Sequence, residues 1–363
     1  MRLNITAMSN ELLYFGLFSV FIIGILIFDL TIIGRKSHVV SFKESLLWTS
    51  VWVSFALAFY FFLLYHGDKL HGIEDVNGLM AVKDKYAPYL KLDSTDFETL
   101  LHQYRKNMAL EYITGYVIEY TLSIDNVFVM MMILSAFAIN EKYYKKVLFW
   151  GILGAIILRC IFIFAGAALI SRFEWILIIF GLFLIYSGVK IFLTRNKEEN
   201  IETKNHPVVR FLSRYMNVYP RVFKDHFFVK TQRKVYLTPL FIVVILIEVS
   251  DLIFALDSIP AIFAVTRDPY LVFFSNIFAI IGLRSLFFLL MKVVKIFHYL
   301  KTGVAFLLAF VGVKLLFHGK LAAIGFTSAH SLYVILGTIV LCIVASLIFP
   351  EKKEAAALAK ELK

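Results

Sequence analysis

The sequence has little of what a soluble enzyme is built from. Of its 363 residues only 17% are charged, and it contains two cysteines. Cys160 and Cys342 are isolated, and their spacing matches neither a disulfide framework nor a cysteine metal centre. No Gly-x-x-x-x-Gly-Lys-Ser/Thr segment occurs, which excludes a P-loop and with it ATP as the direct energy source.

Apolar residues are abundant instead, and they are arranged in long runs. They make up 60% of the chain, with 37 Phe and 18 Tyr. Each run is long enough for a helix to cross about 30 Å of hydrocarbon, and the first is too long for the core of a signal peptide. We therefore predict an all-α polytopic membrane protein with about nine spans, at 12–33, 46–65, 112–139, 147–170, 175–193, 237–265, 270–291, 299–317 and 332–349.

The net charge of +11 is a signal of topology. Basic residues concentrate in alternate loops, above all between Arg195 and Lys234. Cytosolic loops of membrane proteins carry such an excess. We therefore predict an N-terminus outside and a C-terminus inside, contact of the basic loop with anionic lipid, and no nucleic-acid partner.

Two stretches interrupt the predicted membrane domain. An acid-rich external insert covers 66–107, and a basic cytosolic loop covers 195–236. Thr95 and Glu98 form a capping-box pattern, which predicts a helix lying along the outer interface before the chain enters the membrane at Tyr112. The insert is either an acidic vestibule that concentrates cations or a solvated loop. The remaining parts are two peripheral spans over 12–65, a first repeat over 112–193, a second repeat over 237–317 and a last span over 332–349.

The two repeats share polar residues in the same order. The third and sixth predicted spans run in opposite directions, so spans 3–5 and 6–8 are predicted to form a 3+3 inverted repeat. Such repeats build secondary transporters, with the site near the membrane midplane. The paired residues are Glu119 and Asp251, Asp125 and Asp257, Arg159 and Arg284, and Lys190 and Lys314. We interpret the two lysines, which lie near span ends, as repeat markers that can reach the interface.

Acidic residues within the runs point to a function. Each costs about 2.5–3.5 kcal/mol at the centre of a membrane helix, so each needs a partner, an ion or a wet interior. Helix–helix pairing could use Arg159 and Arg284, but it would match only two of the five acids in spans 3 and 6. Asp29 lies close to the end of its span and can reach the interface. The acids are Asp29, Glu119, Asp125, Glu248, Asp251 and Asp257.

The predicted site offers only oxygen ligands. Pro260 removes a backbone donor, so we predict a helix break over 256–260 that turns Asp257 inward and exposes carbonyl oxygens. Carboxylate, amide and hydroxyl oxygens suit Mg²⁺, Ca²⁺ or Mn²⁺, whereas Zn²⁺ and Cu⁺ favour His or Cys, which spans 3 and 6 lack. The predicted metal ligands are Glu119, Asp125, Asn126, Glu248, Asp251, Asp257 and Ser258, with Arg159 and Arg284 as charge partners.

Two segments resemble a known family. Ala-Leu-Glu-Tyr-Ile-Thr-Gly-Tyr-Val-Ile-Glu over 109–119, followed by Ser-Ile-Asp-Asn-Val-Phe over 123–128, and Ile-Glu-Val-Ser-Asp-Leu-Ile-Phe-Ala-Leu-Asp-Ser-Ile-Pro-Ala over 247–261 are similar to the TerC family of integral membrane proteins, specifically its Alx branch. That family is associated with bacterial Mn²⁺ export and, by name, with tellurium resistance. The resemblance implies a metal exporter in a bacterial cytoplasmic membrane, with Mn²⁺ as its transported ion and no permanently bound cofactor.

Three functions stay open on the sequence. The first is a secondary transporter that exchanges a divalent cation for protons, since clustered carboxylates can release protons when a metal binds. The second is an intramembrane aspartyl protease, although the Gly-x-Gly-Asp motif is absent and five acids exceed a dyad. The third is a non-transporting membrane partner in a metal or tellurite stress-response complex, which would tolerate neutral substitution of the carboxylates.

Overall fold

The computed structural model describes residues 2–28, 40–173, 175–194, 217–218, 226–231, 234–293, 299–317, 320–321 and 325–349, without some side chains, among them that of Asp125. Asp29, most of the predicted basic loop and the residues after 349 lie outside the described residues.

Long helices make up most of the described chain. The helices are α1 (Arg2–Phe28), α2 (Phe42–His66), α3 (Asp68–His71), α4 (Val76–Tyr86), α5 (Phe97–Ala136), α6 (Tyr144–Arg172), α7 (Ile176–Thr194), α8 (Pro239–Phe263), α9 (Pro269–Val293), α10 (Leu300–Leu316) and α11 (Ser328–Ile348), with a 3₁₀ turn at Glu141–Tyr143.

The predicted fold class is confirmed, with a difference in the count of spans. Eight of the described helices, all but α3, α4 and α10, are long and apolar enough to cross a membrane. The eighth predicted span, at 299–317, is the 17-residue helix α10. Each helix of the first predicted repeat contacts its counterpart in the second, α5 with α8, α6 with α9 and α7 with α10. The inverted repeat and the orientation stay predictions.

The part of the basic loop that is described forms a small sheet, which the sequence analysis did not predict. Strand β2 (Phe228–Thr231) pairs antiparallel with β3 (Lys234–Leu237), and β1 (Asn217–Val218) pairs parallel with β3. Thr238 and Pro239 then start α8, since proline at the first helical position has no amide to leave unsatisfied.

Helix α5 corrects the predicted entry into the membrane. It is one helix of 40 residues, with no turn at Tyr112. Its N-cap is Asp96, whose carboxylate accepts a hydrogen bond from the Thr99 amide at 2.9 Å, so the predicted capping box at Thr95 is wrong. At 1.5 Å per residue α5 is about 60 Å long, about twice the hydrocarbon thickness. Its first turns, up to residue 107, belong to the predicted insert.

Helix α9 lies at the centre of the bundle, where it contacts α2, α5 and α6. Its apolar segment is 94% buried, against 17% for that of α1. Aromatic rings from α1, α2, α5 and α6 pack around it, with Phe274 at 4.6 Å from Phe18 and 5.2 Å from Phe59 between ring centroids. The peripheral helices leave their large apolar side chains exposed, as helices that face lipid do.

Helices α7 and α10 approach each other backbone to backbone. A Cβ added at Gly188 would lie 2.6 Å from the Ala305 carbonyl oxygen, and one added at Gly312 would lie 2.7 Å from that of Gly181. Small residues at this crossing permit the close packing that joins membrane helices.

The predicted helix break at Pro260 is wrong. Helix α8 runs without interruption from Pro239 to Phe263. Pro260 lies in its last turn, where the lost donor costs one hydrogen bond, and the Pro260 carbonyl still accepts from the Ala264 amide at 3.0 Å.

Candidate functional site

Four helices place polar side chains at one point inside the bundle. We call this group the central cluster. All of its members are at most 3% exposed, although they lie on helices that are otherwise apolar. The members are Glu119, Ser123 and Asn126 on α5, Arg159 on α6, Asp251 and Ser258 on α8, and Asn276 on α9.

Arg159 lies at the centre of this cluster. Its Nη2 and Nε donate to the two carboxylate oxygens of Asp251 at 2.9 and 3.1 Å, and its Nη1 pairs with Glu119 Oε1. This fork geometry is the strong form of a charged hydrogen bond. One guanidinium thus neutralises two carboxylates that approach from different helices, and the cluster keeps a formal charge of −1.

Neutral groups complete the cluster. Arg159 Nη1 also donates to Asn276 Oδ1 at 3.1 Å and to Ser258 Oγ at 3.3 Å. Asn276 Nδ2 donates to Glu119 Oε2 at 2.9 Å, and Ser123 Oγ to Glu119 Oε1 at 3.3 Å. Because burial is costly for any unsatisfied charge, these contacts are what allow the ion pairs to exist in an apolar bundle.

Two buried oxygens, one in the central cluster and one beside it, have no hydrogen-bond partner among the described residues. Asn126 Nδ2 donates to Asp251 Oδ1 at 3.3 Å, but Asn126 Oδ1 is buried and unpaired, as is Glu248 Oε2. Glu248 precedes Asp251 by three residues on α8 and packs against Gly154, where a Cβ would lie 2.1 Å from Glu248 Oε1. The side chains that the structure describes contain no group of three or more His, Cys, Asp or Glu that could hold a metal ion.

Asp257 lies away from the central cluster. Its Oδ1 accepts a hydrogen bond from Ser187 Oγ on α7 at 2.8 Å. The predicted inward turn required a helix break that is absent, so Asp257 and Asp251 project from different faces of α8. Asp125 lies on α5, and its side chain is outside the described residues.

Arg284 also lies outside the contacts of the cluster. It is half-buried and lines a small cavity with Trp52 and Phe149. Its predicted pairing with an acidic residue stays a prediction, whereas Arg159 lies between two carboxylates.

A second charged group was missed by the sequence analysis. We call it the insert-side cluster. His71 is fully buried; its Nε2 lies 2.8 Å from Asp268 Oδ2 and its Nδ1 2.9 Å from Glu11 Oε1. The Tyr86 hydroxyl donates to the same Glu11 oxygen at 2.9 Å. The cluster consists of Glu11, His71, Tyr86 and Asp268, and it joins α1, the insert and the start of α9.

The charge of His71 depends on these partners. Burial disfavours the imidazolium, but the carboxylates of Asp268 and Glu11 outweigh that effect and raise the pKa of His71 to about 9. Burial and the same carboxylates raise the pKa of the Tyr86 hydroxyl, which therefore stays a neutral donor. Asp268 also caps α9, since its Oδ1 accepts from the Tyr270 amide at 2.9 Å.

Acidic residues of the insert serve mainly local structure. Asp68 accepts from Arg105 Nε at 2.6 Å, Asp75 caps α4, and Asp84 pairs with Lys83. Hydrogen bonds from the Thr99 side chain and amide lower the pKa of Asp96. These acids are therefore committed to caps and ion pairs rather than grouped around one opening.

Comparison with known proteins places the chain in a family. The model described as "Integral membrane protein TerC family" matches residues 104–354. An "Uncharacterized membrane protein STKORF319" from Myxococcus xanthus is 44% identical over 334 residues, 91% of each chain. A "Putative membrane-bound redox modulator Alx" from Escherichia coli (strain K12) is 41% identical over 305 residues, 84% of this chain and 85% of that one. No solved structure matches the chain.

The family match covers α6 to α11 and all but the first turns of α5, and with them every member of the central cluster. The multi-pass helical fold, the matched range and the identity over most of the chain lead to one conclusion. The chain belongs to the integral membrane protein TerC family.

Proposed function

We propose that this protein is a secondary transporter that exports a divalent metal cation, Mn²⁺ in particular, across the bacterial cytoplasmic membrane in exchange for protons. The observation that supports this most is the pair Glu119 and Asp251, buried between two apolar helices around a single guanidinium. Ionisable groups at this depth in a membrane bundle mark ion or proton pathways.

In this proposal Arg159 is the internal counter-ion of the empty carrier. A divalent cation competes with the guanidinium for the oxygens of Glu119 and Asp251. Because arginine keeps its proton, it must swing aside and cannot discharge. When the metal leaves, Arg159 returns to the same oxygens, so the two carboxylates are never left unpaired in a medium of low polarity.

Glu248 is the proton carrier in this proposal. Its unpaired Oε2 lies next to the pair of Arg159 with Asp251, where a further negative charge has no cation of its own. A proton held there while the site is empty is released when the metal arrives. Asn126 Oδ1, also unpaired, then supplies a neutral oxygen of the kind that Mn²⁺ accepts.

Energetics favour exchange over a passive pore. Moving a divalent cation out against an inside-negative potential costs about 4.6 kcal/mol per 100 mV. At about 1.4 kcal/mol per tenfold concentration ratio, a uniporter would need an internal excess of about 10³-fold or more. A proton that enters on Glu248 as the metal leaves offsets half of this charge movement and adds the energy of the proton gradient to the driving force.

Transport of Mn²⁺ by the purified full-length chain in proteoliposomes tests the proposal. An imposed inward proton gradient should accelerate Mn²⁺ efflux, and an ionophore that collapses it should slow efflux. Glu119→Gln and Asp251→Asn should each slow efflux at least about tenfold, because each removes a charge from the ion site. Asp84→Asn, at an exposed insert position, is the matched control.

Two outcomes would contradict the proposal in different ways. Efflux that responds only to the metal gradient and voltage indicates a channel and refutes exchange. Wild-type efflux by both central-cluster variants refutes the site.

The ligand roles predicted for Asp125 and Asp257 are tested in the same assay. Asp257→Asn should abolish efflux if the carboxylate binds the metal, whereas Ser187→Ala removes only its hydrogen bond and should leave most of the activity. Equal loss in both variants assigns Asp257 to helix packing. Asp125→Asn should abolish efflux while the protein stays in the membrane.

A non-transporting partner in a stress-response complex is the second candidate. It draws on the description of the E. coli relative as a membrane-bound redox modulator, which is a statement about that protein. In this chain Cys160 and Cys342 are both free thiols. If this candidate function is correct, we expect Glu119→Gln and Asp251→Asn to leave the stress phenotype of the cell unchanged.

A further inference from the structure

A cavity of about 570 Å³ opens between the insert and the ends of α7, α8 and α10. This insert-side cavity has the size of a ligand site. It is separate from the central cluster, because Gly115 on α5 packs tightly between them: a Cβ there would lie 2.9 Å from Ile262 Cγ2 and 3.0 Å from Ser275 Oγ. An inference about this cavity does not rest on the proposed transport.

Lys314 lines the cavity, and its ammonium forms no hydrogen bond and no ion pair within 4 Å among the described residues. Its electrostatic partner there is the Glu111 carboxylate, beyond ion-pair distance. The residue is only 7% exposed, so its side chain is enclosed by the protein. Glu111, 8% exposed, lines the same cavity, but its Oε1 already accepts from Asn107 Nδ2 at 2.8 Å, and its carboxylate forms no ion pair with Lys314. A buried ammonium that makes no direct hydrogen bond is costly, which points to a ligand that supplies an acceptor.

The charge of the lining indicates the sign of that ligand. Among the described residues of the lining, three are basic, Lys91, Arg267 and Lys314, and one is acidic, Glu111. Arg267 is held beside the cavity by Tyr89, with its guanidinium carbon 5.2 Å from the ring centroid and its Nη2 3.2 Å from the hydroxyl. Lysine and arginine together are the usual recognition groups for phosphate.

The rest of the lining is apolar and continues onto the outer surface of the bundle. Trp175 and Ile178 line the cavity and are 57% and 54% exposed. They lie at the start of α7, which exposes its large apolar side chains as a lipid-facing helix does. Tryptophan is typical of the level of lipid head groups. A charged pocket that continues into an apolar, membrane-facing groove fits an amphiphile.

We propose that the insert-side cavity binds an anionic phospholipid, with its phosphate group at Lys314 and Arg267 and an acyl chain along Trp175 and Ile178. The lipid joins the insert to the ends of α7, α8 and α10, so its binding stabilises the folded protein.

Binding is measured on the purified full-length protein in detergent, by native mass spectrometry and by the midpoint of thermal unfolding. The probes are phosphatidylglycerol, phosphatidylcholine with the same acyl chains, and sodium phosphate alone. Phosphatidylglycerol should bind and raise the midpoint, and the other two should not. Lys314→Met should weaken phosphatidylglycerol binding about tenfold, the value of one charge-assisted contact, while Lys314→Arg keeps it.

The matched control is Lys69→Gln, which removes an exposed lysine from the insert and should leave binding unchanged. If Lys314→Met does not fold, Arg267→Gln replaces it, with the same expected direction. Equal binding of phosphatidylcholine, or wild-type binding by the folded Lys314 or Arg267 variants, overturns the proposal. Equal stabilisation by sodium phosphate overturns the assignment to a lipid and leaves a site for a free anion.

Discussion

The central cluster and the insert-side cluster have the same plan and differ in the cation. In each, one fully buried cation lies between two carboxylates from different helices: Arg159 between Glu119 and Asp251, and His71 between Glu11 and Asp268. An arginine keeps its charge at every physiological pH, whereas a histidine can lose it. The cation of the central pair therefore keeps its charge as pH rises, whereas the cation of the insert-side pair can lose its charge by deprotonation of His71.

Of the changes considered for the two clusters, removal of Arg159 should lower the free energy of unfolding the most. Arg159→Met leaves Glu119 and Asp251 buried without a cation, which costs about 3–5 kcal/mol of unfolding free energy. Chemical denaturation in detergent micelles measures the loss. If the metal competes for the same oxygens, added Mn²⁺ should restore part of the stability of this variant. A variant as stable as the wild type would show that the arginine is not the required counter-ion.

Alkaline pH should open the insert-side cluster alone. The pKa of His71 is raised to about 9 from 6.5, so its stabilising contribution is complete below about pH 6.5, falls as pH rises and is lost above about pH 9. The expected loss of unfolding free energy is about 3 kcal/mol. His71→Gln should be less stable at neutral pH and should lack this slope.

The control for the pH experiment is His102→Gln, which changes an exposed histidine on α5 and should keep the wild-type slope. A slope that persists in His71→Gln would assign the pH dependence to another group.

The smallest expected effect concerns the neutral donor of the insert-side cluster. Tyr86→Phe removes one hydrogen bond to Glu11, while His71 still pairs with that carboxylate. The expected loss is about 1 kcal/mol, measured by the same denaturation. A loss as large as that of His71→Gln would mean that the tyrosine, and not the histidine, holds the insert to α1.

The central cluster could be anticipated from the free-energy cost of a charged side chain within a membrane helix, which predicts that each charge has a partner. Glu119 and Asp251 lie within hydrophobic runs, where a carboxylate must find a partner, and Arg159 is one of two arginines deep in such runs. The insert-side cluster gave no such signal. Glu11 lies one residue before the first run, Asp268 lies between two runs, and His71 lies in a polar insert. Their contacts join residues far apart in sequence, which no local pattern encodes.

The two wrong predictions of local structure, the helix break at Pro260 and the cap at Thr95, also come from patterns that are local in sequence. A proline in a helix interior removes one backbone hydrogen bond, but the sequence pattern does not show where the helix end lies. Pro260 precedes that end by three residues. At the start of α5, two neighbouring residues could each serve as a cap, and the Asp96 carboxylate takes the role that the pattern gave to Thr95.

The crossing of α7 and α10 limits how the bundle can move. At this crossing backbone lies against backbone, so no side chain can change rotamer to accommodate sliding. Packed interfaces change between discrete arrangements, and one without adjustable side chains has few to choose from. We therefore expect α7 and α10 to move together. In the proposed transport cycle the site would then open by displacement among the helices that carry the central cluster, α5 and α8 in particular. A disulfide introduced between α7 and α10 should leave Mn²⁺ efflux unchanged, whereas one between α5 and α8 should lock the carrier.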